Sequence, residues 1–401
     1  MKRMLLVTGI LCCMVIVGAF YTSNQKGKYL LAQNMEGVIS RETSDKVQEE
    51  CLKVAEIYKD IYLNTEKKPS DIIQTDTQIS DEAVSEIVKS IGKEGFTVCD
   101  SAGNSSLENP AAFYDFWETV QKGEPAAFTV YRIRQNGGFY RYEFYTDGRE
   151  GAGYNLLLAT VNLDSKGIPD IYDMKISPLS EWNFTEKENF IFRDSYTGWA
   201  SGNGYRKIRI KPVDEKCLSY QKKYVEPIYY EGNNLLISNW SESDYSALSF
   251  NDLFEYLYRM KEGERLVEDR FPIDPDNENR YIPADLFENI MLYYFPISQK
   301  ELRKEALFDQ KKNAYPWQEM RSNHNYVAMP LMEPDVTAVK ENADGTVTLS
   351  IDVICLEKNN DRAFSHELTL GKGEDGSMQY VSNVIVPGEH NIIPNYIFRL
   401  Q

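Results

Sequence analysis

The sequence is poor in the groups that the common catalytic routes require. It has only three histidines, His324, His366 and His390, in 401 residues. A histidine-based triad must recruit one of them. No HExxH, GxSxG, GxxxxGK[ST] or strand-flanked GxGxxG run occurs, so the zincin, α/β-hydrolase, P-loop and Rossmann readings all lack their defining geometry. Cysteine is sparse and scattered. Cys51, Cys99, Cys217 and Cys355 follow the N-terminal pair Cys12 and Cys13, and no CxxC occurs, which removes the zinc-ribbon and thioredoxin-type spacings. Positive charge is the minority sign, with 44 Lys and Arg against 61 Asp and Glu and a net charge of −17. No stretch concentrates enough basic side chains to overturn that balance, so nucleic acid is excluded as the expected partner.

Long apolar runs are also missing, except at the start. Lys2 and Arg3 precede an uncharged run from Met4 to Tyr21, and Thr22, Ser23, Asn24 and Gln25 end it, the positive, apolar, polar layout of an export signal. As a helix the run would reach about 27 Å, just enough to cross a hydrocarbon core. It reads as a retained membrane anchor, with its basic end inside, or as a signal cleaved after Ala19. A lipoprotein signal needs a small residue before the lipid-bearing cysteine, and Leu11 and Cys12 stand there instead. Each reading puts the body outside the cytoplasm, attached to the cell membrane through the N-terminal helix or secreted.

The rest predicts an α+β chain of two domains, each with antiparallel sheets and packed helices. Residues 1–21 are the signal or anchor, 22–79 a spacer with one amphipathic helix, 80–245 the first domain and 246–401 the second. The spacer helix runs from Ser44 to Leu63, with Val47, Cys51, Val54, Tyr58 and Ile61 on one face. Ser80 caps a second helix. Asn109 caps a third that has Pro110 at its first position and Gly123 past its end. Turns at Asn136-Gly137, Lys166-Gly167, Asp344-Gly345 and Asp375-Gly376 mark four hairpins. Between them lie a strand at Tyr205 onward, a helix over 213–225, a strand over "NNLLISNW", and helices capped by Ser249 and Ser298 or entered through Pro283. The four cysteines read as buried free thiols, with two disulfides as the alternative in an oxidising compartment.

Few residues suggest chemistry. In "DPDNENRYIPAD", Asp274, Asp276, Glu278 and Asp285 fall at positions 1, 3, 5 and 12 of a calcium-loop template. Asn279 stands where the template wants glycine, and a hydrated acidic loop leading into a helix is the plainer reading. His366 alternates with Phe364, Leu368 and Leu370 and reads as a half-buried strand residue, whereas His324 and His390 lie in polar loops. Tyr140, Tyr142 and Trp199 suit either an aromatic platform for a glycan or ordinary cross-strand packing. A glycosidase carboxylate pair cannot be read from spacing, because its pairing is spatial.

The phrases "GYRKIRIKPVDEKC", "YVEPIYYEGNNLL", "NADGTVTLSIDV", "SHELTL" and "DGSMQYVSN", in that order, resemble a family of uncharacterised exported proteins of anaerobic Gram-positive bacteria, defined only as a domain of unknown function. The similarity spans Ser80 to Val386. It implies an envelope-facing bacterial protein and carries over no catalytic residue or cofactor. The expected function is a non-enzymatic envelope protein that binds a protein, glycan or small-molecule partner; the alternative is an extracellular hydrolase that uses carboxylates on a glycan or peptide.

Overall fold

A computed structural model describes residues 39–69, 77–148, 153–194, 204–319 and 331–400. The expected membrane segment, Trp199 and His324 lie outside them. No helix among the described residues is long and apolar enough to cross a membrane. The chain divides into two compact units, one ending at Pro212 and the other beginning at Val213.

In the first unit, α1 (Arg41–Asn64) starts at Ser40, whose Oγ accepts the Thr43 amide at 3.1 Å. It contains neither proline nor glycine to interrupt it. Val47, Cys51, Val54, Ala55, Tyr58 and Tyr62 form its buried stripe. A two-residue ladder of β1 (Lys68–Pro69) and β2 (Thr77–Gln78) follows. Next comes α2 (Asp81–Lys93), where the Ser80 cap and the first-turn acids Asp81 and Glu82 satisfy the free amide end. The α1 stripe shares one core with Ile87, Ile91, Tyr131, Phe139, Leu157 and Val161. The first helix is therefore part of the domain core and not a spacer.

A seven-stranded sheet runs in the order β3 (Val98–Asp100), β4 (Ala126–Ile133), β5 (Phe139–Thr146), β6 (Tyr154–Leu163), β7 (Pro169–Phe184), β8 (Asn189–Asp194) and β9 (Tyr205–Arg209). All neighbours are antiparallel except β3 and β4. That parallel pair is bridged by α3 (Ala111–Gln121), which packs Phe113 and Phe116 on the sheet face opposite α1 and α2. Asn109 does not cap α3. Its backbone is left-handed, with φ 54°, and its amide nitrogen donates to the Gly92 and Phe96 carbonyls at 2.8 Å.

The sheet rolls up around α3. In a flat sheet the three spacings from β5 to β8 would be about 14 Å, yet the Phe144 and Phe192 ring centroids lie 4.9 Å apart. Register shifts within β7, after Leu179 and opposite Thr160 and Val161, supply the bend. One face becomes concave, and it is this curvature that brings distant strands to one place.

In the second unit, α4 (Glu215–Tyr220) continues into a π turn over Gln221–Val225. The expected strand at "NNLLISNW" is mostly turn; only β10 (Trp240–Ser241) is extended. Asn233 explains this locally: its side chain bonds the Ile228 carbonyl and the Leu235 amide and so competes with a ladder. Helix α5 (Phe250–Glu262) runs from its Ser249 cap to Gly263 at φ 73°. Then come β11 (Arg280–Pro283), α6 (Ala284–Tyr294), α7 (Gln299–Glu305), capped by Ser298, and β12 (Ala314–Trp317). A sheet of β13 (Met332–Glu341), β14 (Val347–Cys355), β15 (Asn360–Lys372) and β16 (Met378–Ile385) follows, with β10 added on the β16 edge. Val347, Leu349, Ile351 and Val353 of β14 are buried against the helices, and Asp352 between them is buried too, at 7% exposure. Tyr224, Leu235 and Trp240 belong to that same core, which moves the division from 245/246 to 212/213.

Candidate functional site

The concave face of the first unit is apolar at one end and charged at the other. Around α3 it is lined by Phe113, Phe116, Phe128, Phe144 and Phe190. Further along, Tyr142 on β5 is opposite Leu158, and Leu158 is opposite Lys175, so all three side chains share the concave face. The Arg132 guanidinium lies 5.7 Å from the centre of the Tyr142 ring and donates to the Ser101 carbonyl at 2.9 Å. Arg206 is opposite Phe192, whose ring is 6.0 Å from Tyr142. Lys175 reaches Asp194 at 3.8 Å. Burial raises the Tyr142 phenol pKa, while the charges of Arg132 and Arg206 pull it down. Two guanidinium groups from β4 and β9, about 24 Å apart in a flat sheet, thus act on one hydroxyl.

Asp194, the carboxylate that Lys175 approaches, is 2% exposed. Asp170 and Asp173, on the same face further along β7, are exposed. Ser177, two residues from Lys175 on this face, is fully buried, and its Oγ has no hydrogen-bond partner among the described residues; the same holds for the buried Arg206 Nε. Tyr140 stacks on Tyr142 at 5.9 Å, and the Arg134 guanidinium lies 5.1 Å from the centre of the Tyr140 ring. Two of the three platform residues are therefore together, but the Tyr142 ring is 2% exposed and packed, not open to a sugar.

The calcium-template residues are not gathered. Among the described residues no three His, Cys, Asp or Glu side chains converge to hold a metal ion. Asp274 is taken by the Lys312 ammonium, which holds its carboxyl below the usual range. Its Oδ1 accepts the Asp276 amide at 2.9 Å, and its carbonyl accepts the Glu278 amide at 2.8 Å, so the loop closes on itself. Asp276 and Glu278 are exposed, and Asp285 sits in the first turn of α6, where its charge complements the positive end of the helix dipole.

His366 is fully buried instead of half-buried. Nδ1 lies 2.7 Å from Asn383 Oδ1 and Nε2 lies 3.0 Å from the Tyr230 hydroxyl, so it is a structural member of the second core. Burial lowers its pKa to about 4. The unfolded chain takes up a proton near the ordinary value of about 6.5. Stability of this unit is therefore expected to be full above pH 6.5 and to fall between 6.5 and 4, by about 3 kcal/mol in all. Unfolding midpoints across that range, compared with His366→Asn, check this; equal pH slopes in the two proteins would disprove it. His390 is exposed in its terminal turn.

All four described cysteines are free and buried. Burial pushes Cys51 and Cys99 up to about 12 and raises Cys355, so none of these three is a ready nucleophile. A thiol reagent is expected to leave these four unlabelled in the folded protein at pH 8 and to label all four in denaturant, as read by peptide mass. One further pair was invisible in the sequence. Burial, and then a hydrogen bond that the protonated Glu268 donates to the neighbouring Glu319, push Glu268 up to about 7; that pairing joins residues far apart in the sequence.

No curated protein and no solved structure matches this chain. The model of a family of unknown function, DUF6070, matches residues 44–399. The matched span takes in both units, from the first helix to the Arg399 that closes the second, and the chain belongs to that family.

Proposed function

We propose that this chain is an extracytoplasmic, envelope-associated protein that binds a ligand without turning it over, and that the ligand sits at the charged end of the concave face in the first unit. The basic start and apolar run from Met4 to Tyr21 support the location. The observation that carries the binding reading is the convergence of Arg132 and Arg206 on Tyr142, beside the Lys175–Asp194 pair. A concave face with a few convergent polar groups on an apolar floor is the usual form of a small-molecule site. His366 and the four buried cysteines are committed to packing, which leaves them no part in turnover.

The test is purification of the native protein from the host envelope fraction, followed by denaturation and mass analysis of released small molecules. A stoichiometric compound supports the reading, and recovery of the chain in the cytosol or turnover of the compound overturns it. The second reading, a carboxylate hydrolase, is favoured by one observation, the Glu268 carboxyl pushed up to about 7 by burial beside Glu319. Loss of a measured hydrolysis in Glu268→Gln would establish it.

A further inference from the structure

Beyond Tyr142 the concave face ends in a rim whose two sides carry opposite charge. Strand pairing sets the order: Arg132 on β4 is opposite Tyr140 on β5, Tyr140 is opposite Thr160 on β6, and Thr160 is opposite Asp173 on β7. One step nearer the turns, Asn162 is opposite Asp170. Directly opposed residues share a face, so cations stand on the β4 side, carboxylates on the β7 side and neutral polar groups between them. Arg132 is tied to the Ser101 carbonyl, which leaves Arg134 as the cation that reaches the rim. Its guanidinium lies 5.1 Å from the centre of the Tyr140 ring and donates to Asn162 Oδ1 at 2.7 Å. That puts it about 5 Å, one strand spacing, from the strand that carries Asp170 and Asp173. The ion pair nevertheless stays open: the two carboxylates are exposed and meet no cation or hydrogen-bond donor among the described residues. An exposed pair gains little by closing, so an open one costs the fold little and keeps both charges available.

Resting on the reading that this face binds a ligand, we propose that the ligand is a small zwitterion, an α-amino acid, with its carboxylate on Arg134 and its ammonium on Asp170 and Asp173. Charge complementarity selects it, because a simple anion would face the two carboxylates and a simple cation would face the guanidinium. Size agrees. Two charge-assisted hydrogen bonds of about 2.8 Å, joined at an angle through the roughly 3 Å between the charged groups of an α-amino acid, span about 6–8 Å, a little more than one strand spacing. The half-buried Thr160 hydroxyl, between Tyr140 and Asp173, can give or accept a further hydrogen bond. The Tyr140 ring, stacked on Tyr142 at 5.9 Å, is the floor beneath the amino-acid side chain.

The experiment uses the full chain in detergent. The proteinogenic L-α-amino acids are screened singly by thermal unfolding, and each that raises the midpoint is titrated by calorimetry beside its N-acetyl derivative and its amide. At least one amino acid is expected to bind saturably and to raise the midpoint. Loss of either charge, the ammonium in the N-acetyl derivative or the carboxylate in the amide, should weaken it about tenfold or more. No midpoint rise with any of them, or undiminished binding of either derivative, overturns the proposal. Arg134→Gln and the double variant Asp170→Asn with Asp173→Asn are each expected to weaken binding about tenfold or more, while Lys93→Gln, at the end of α2 behind the sheet, leaves it unchanged. The three side chains are exposed or half-buried, so the ligand-free midpoints of these variants should stay near wild type. Wild-type affinity in either variant puts the ligand elsewhere and overturns the assignment. A compound without both charges, released from the native protein, would refute the zwitterion and leave the binding reading standing. Turnover of a bound amino acid would refute the non-enzymatic reading and leave the site standing.

Discussion

Arg399→Ala is expected to destabilise the second unit by about 3–5 kcal/mol, although the residue stands near the end of the chain, where truncation is normally tolerated. Its side chain is 2% exposed. Nη1 donates to the Gln318 carbonyl at 2.8 Å, and Nη2 donates to the Gly232 carbonyl at 2.8 Å and the Asp252 carbonyl at 2.6 Å. The same guanidinium faces Glu255 at 2.8 Å and Asp252 at 3.5 Å. Asp252 also accepts the Arg399 amide and the Tyr396 hydroxyl. Removing the fork takes the donor from three carbonyls and the counter-charge from the buried Asp252 and the half-buried Glu255 at once.

The loss should depend on pH. Burial raises Glu255 and Arg399 opposes that rise, so in the variant the Glu255 carboxyl moves further up. A carboxyl whose folded value exceeds its unfolded value costs stability as pH rises through that interval. The variant is therefore expected to lose more at pH 8 than at pH 5. Arg399→Lys should recover little, because one ammonium cannot reproduce a planar fork that meets three carbonyls. Urea unfolding followed by the buried Trp240 and Trp317, with hydrogen exchange in β14 and β15 to localise the change, measures the effect. A loss below about 1 kcal/mol, the scale of an exposed pair, would show that the clamp does not hold the unit.

Local chemistry made much of the fold legible. Ser80, Ser249 and Ser298 each accept an amide at the start of the helix they were expected to cap, and the glycines of four predicted turns all have φ between 71° and 86°. These signals act within a few residues. The helix α1 misled because its polar flanks suit a spacer, and only the tertiary core shows where Tyr58 and Tyr62 go. The Tyr58 hydroxyl donates to the Gly137 carbonyl at 2.9 Å, a contact no periodicity contains. The candidate site was hidden for the same reason. Arg132, Lys175 and Arg206 lie on strands that meet only when the sheet rolls, and the rolling depends on register shifts in β7. Tyr140 and Tyr142 alone were visible, since adjacent same-face positions on one strand are written in the sequence.

The anchoring of α1 gives the second large effect. Arg141, 1% exposed, projects from β5 on the face opposite Tyr142, with Nε 2.9 Å and Nη2 2.7 Å from Glu50 of α1, and with Nη2 also 2.6 Å from Glu143 of its own strand. Glu143 is 5% exposed, so Arg141→Ala leaves a buried carboxylate facing an apolar core, and a loss of about 3–5 kcal/mol is expected. Burial of apolar surface and not the ion triad holds the helix, since six buried side chains line its stripe. It follows that replacing the whole triad, Glu50→Gln with Arg141→Met and Glu143→Leu, should cost far less than Arg141→Ala alone and should come close to wild type. Denaturant unfolding of the three proteins, wild type, single and triple variant, with hydrogen exchange across residues 41–64, decides it. If the triple variant is as unstable as the single one, the charges themselves fasten the helix, and the apolar stripe is not sufficient.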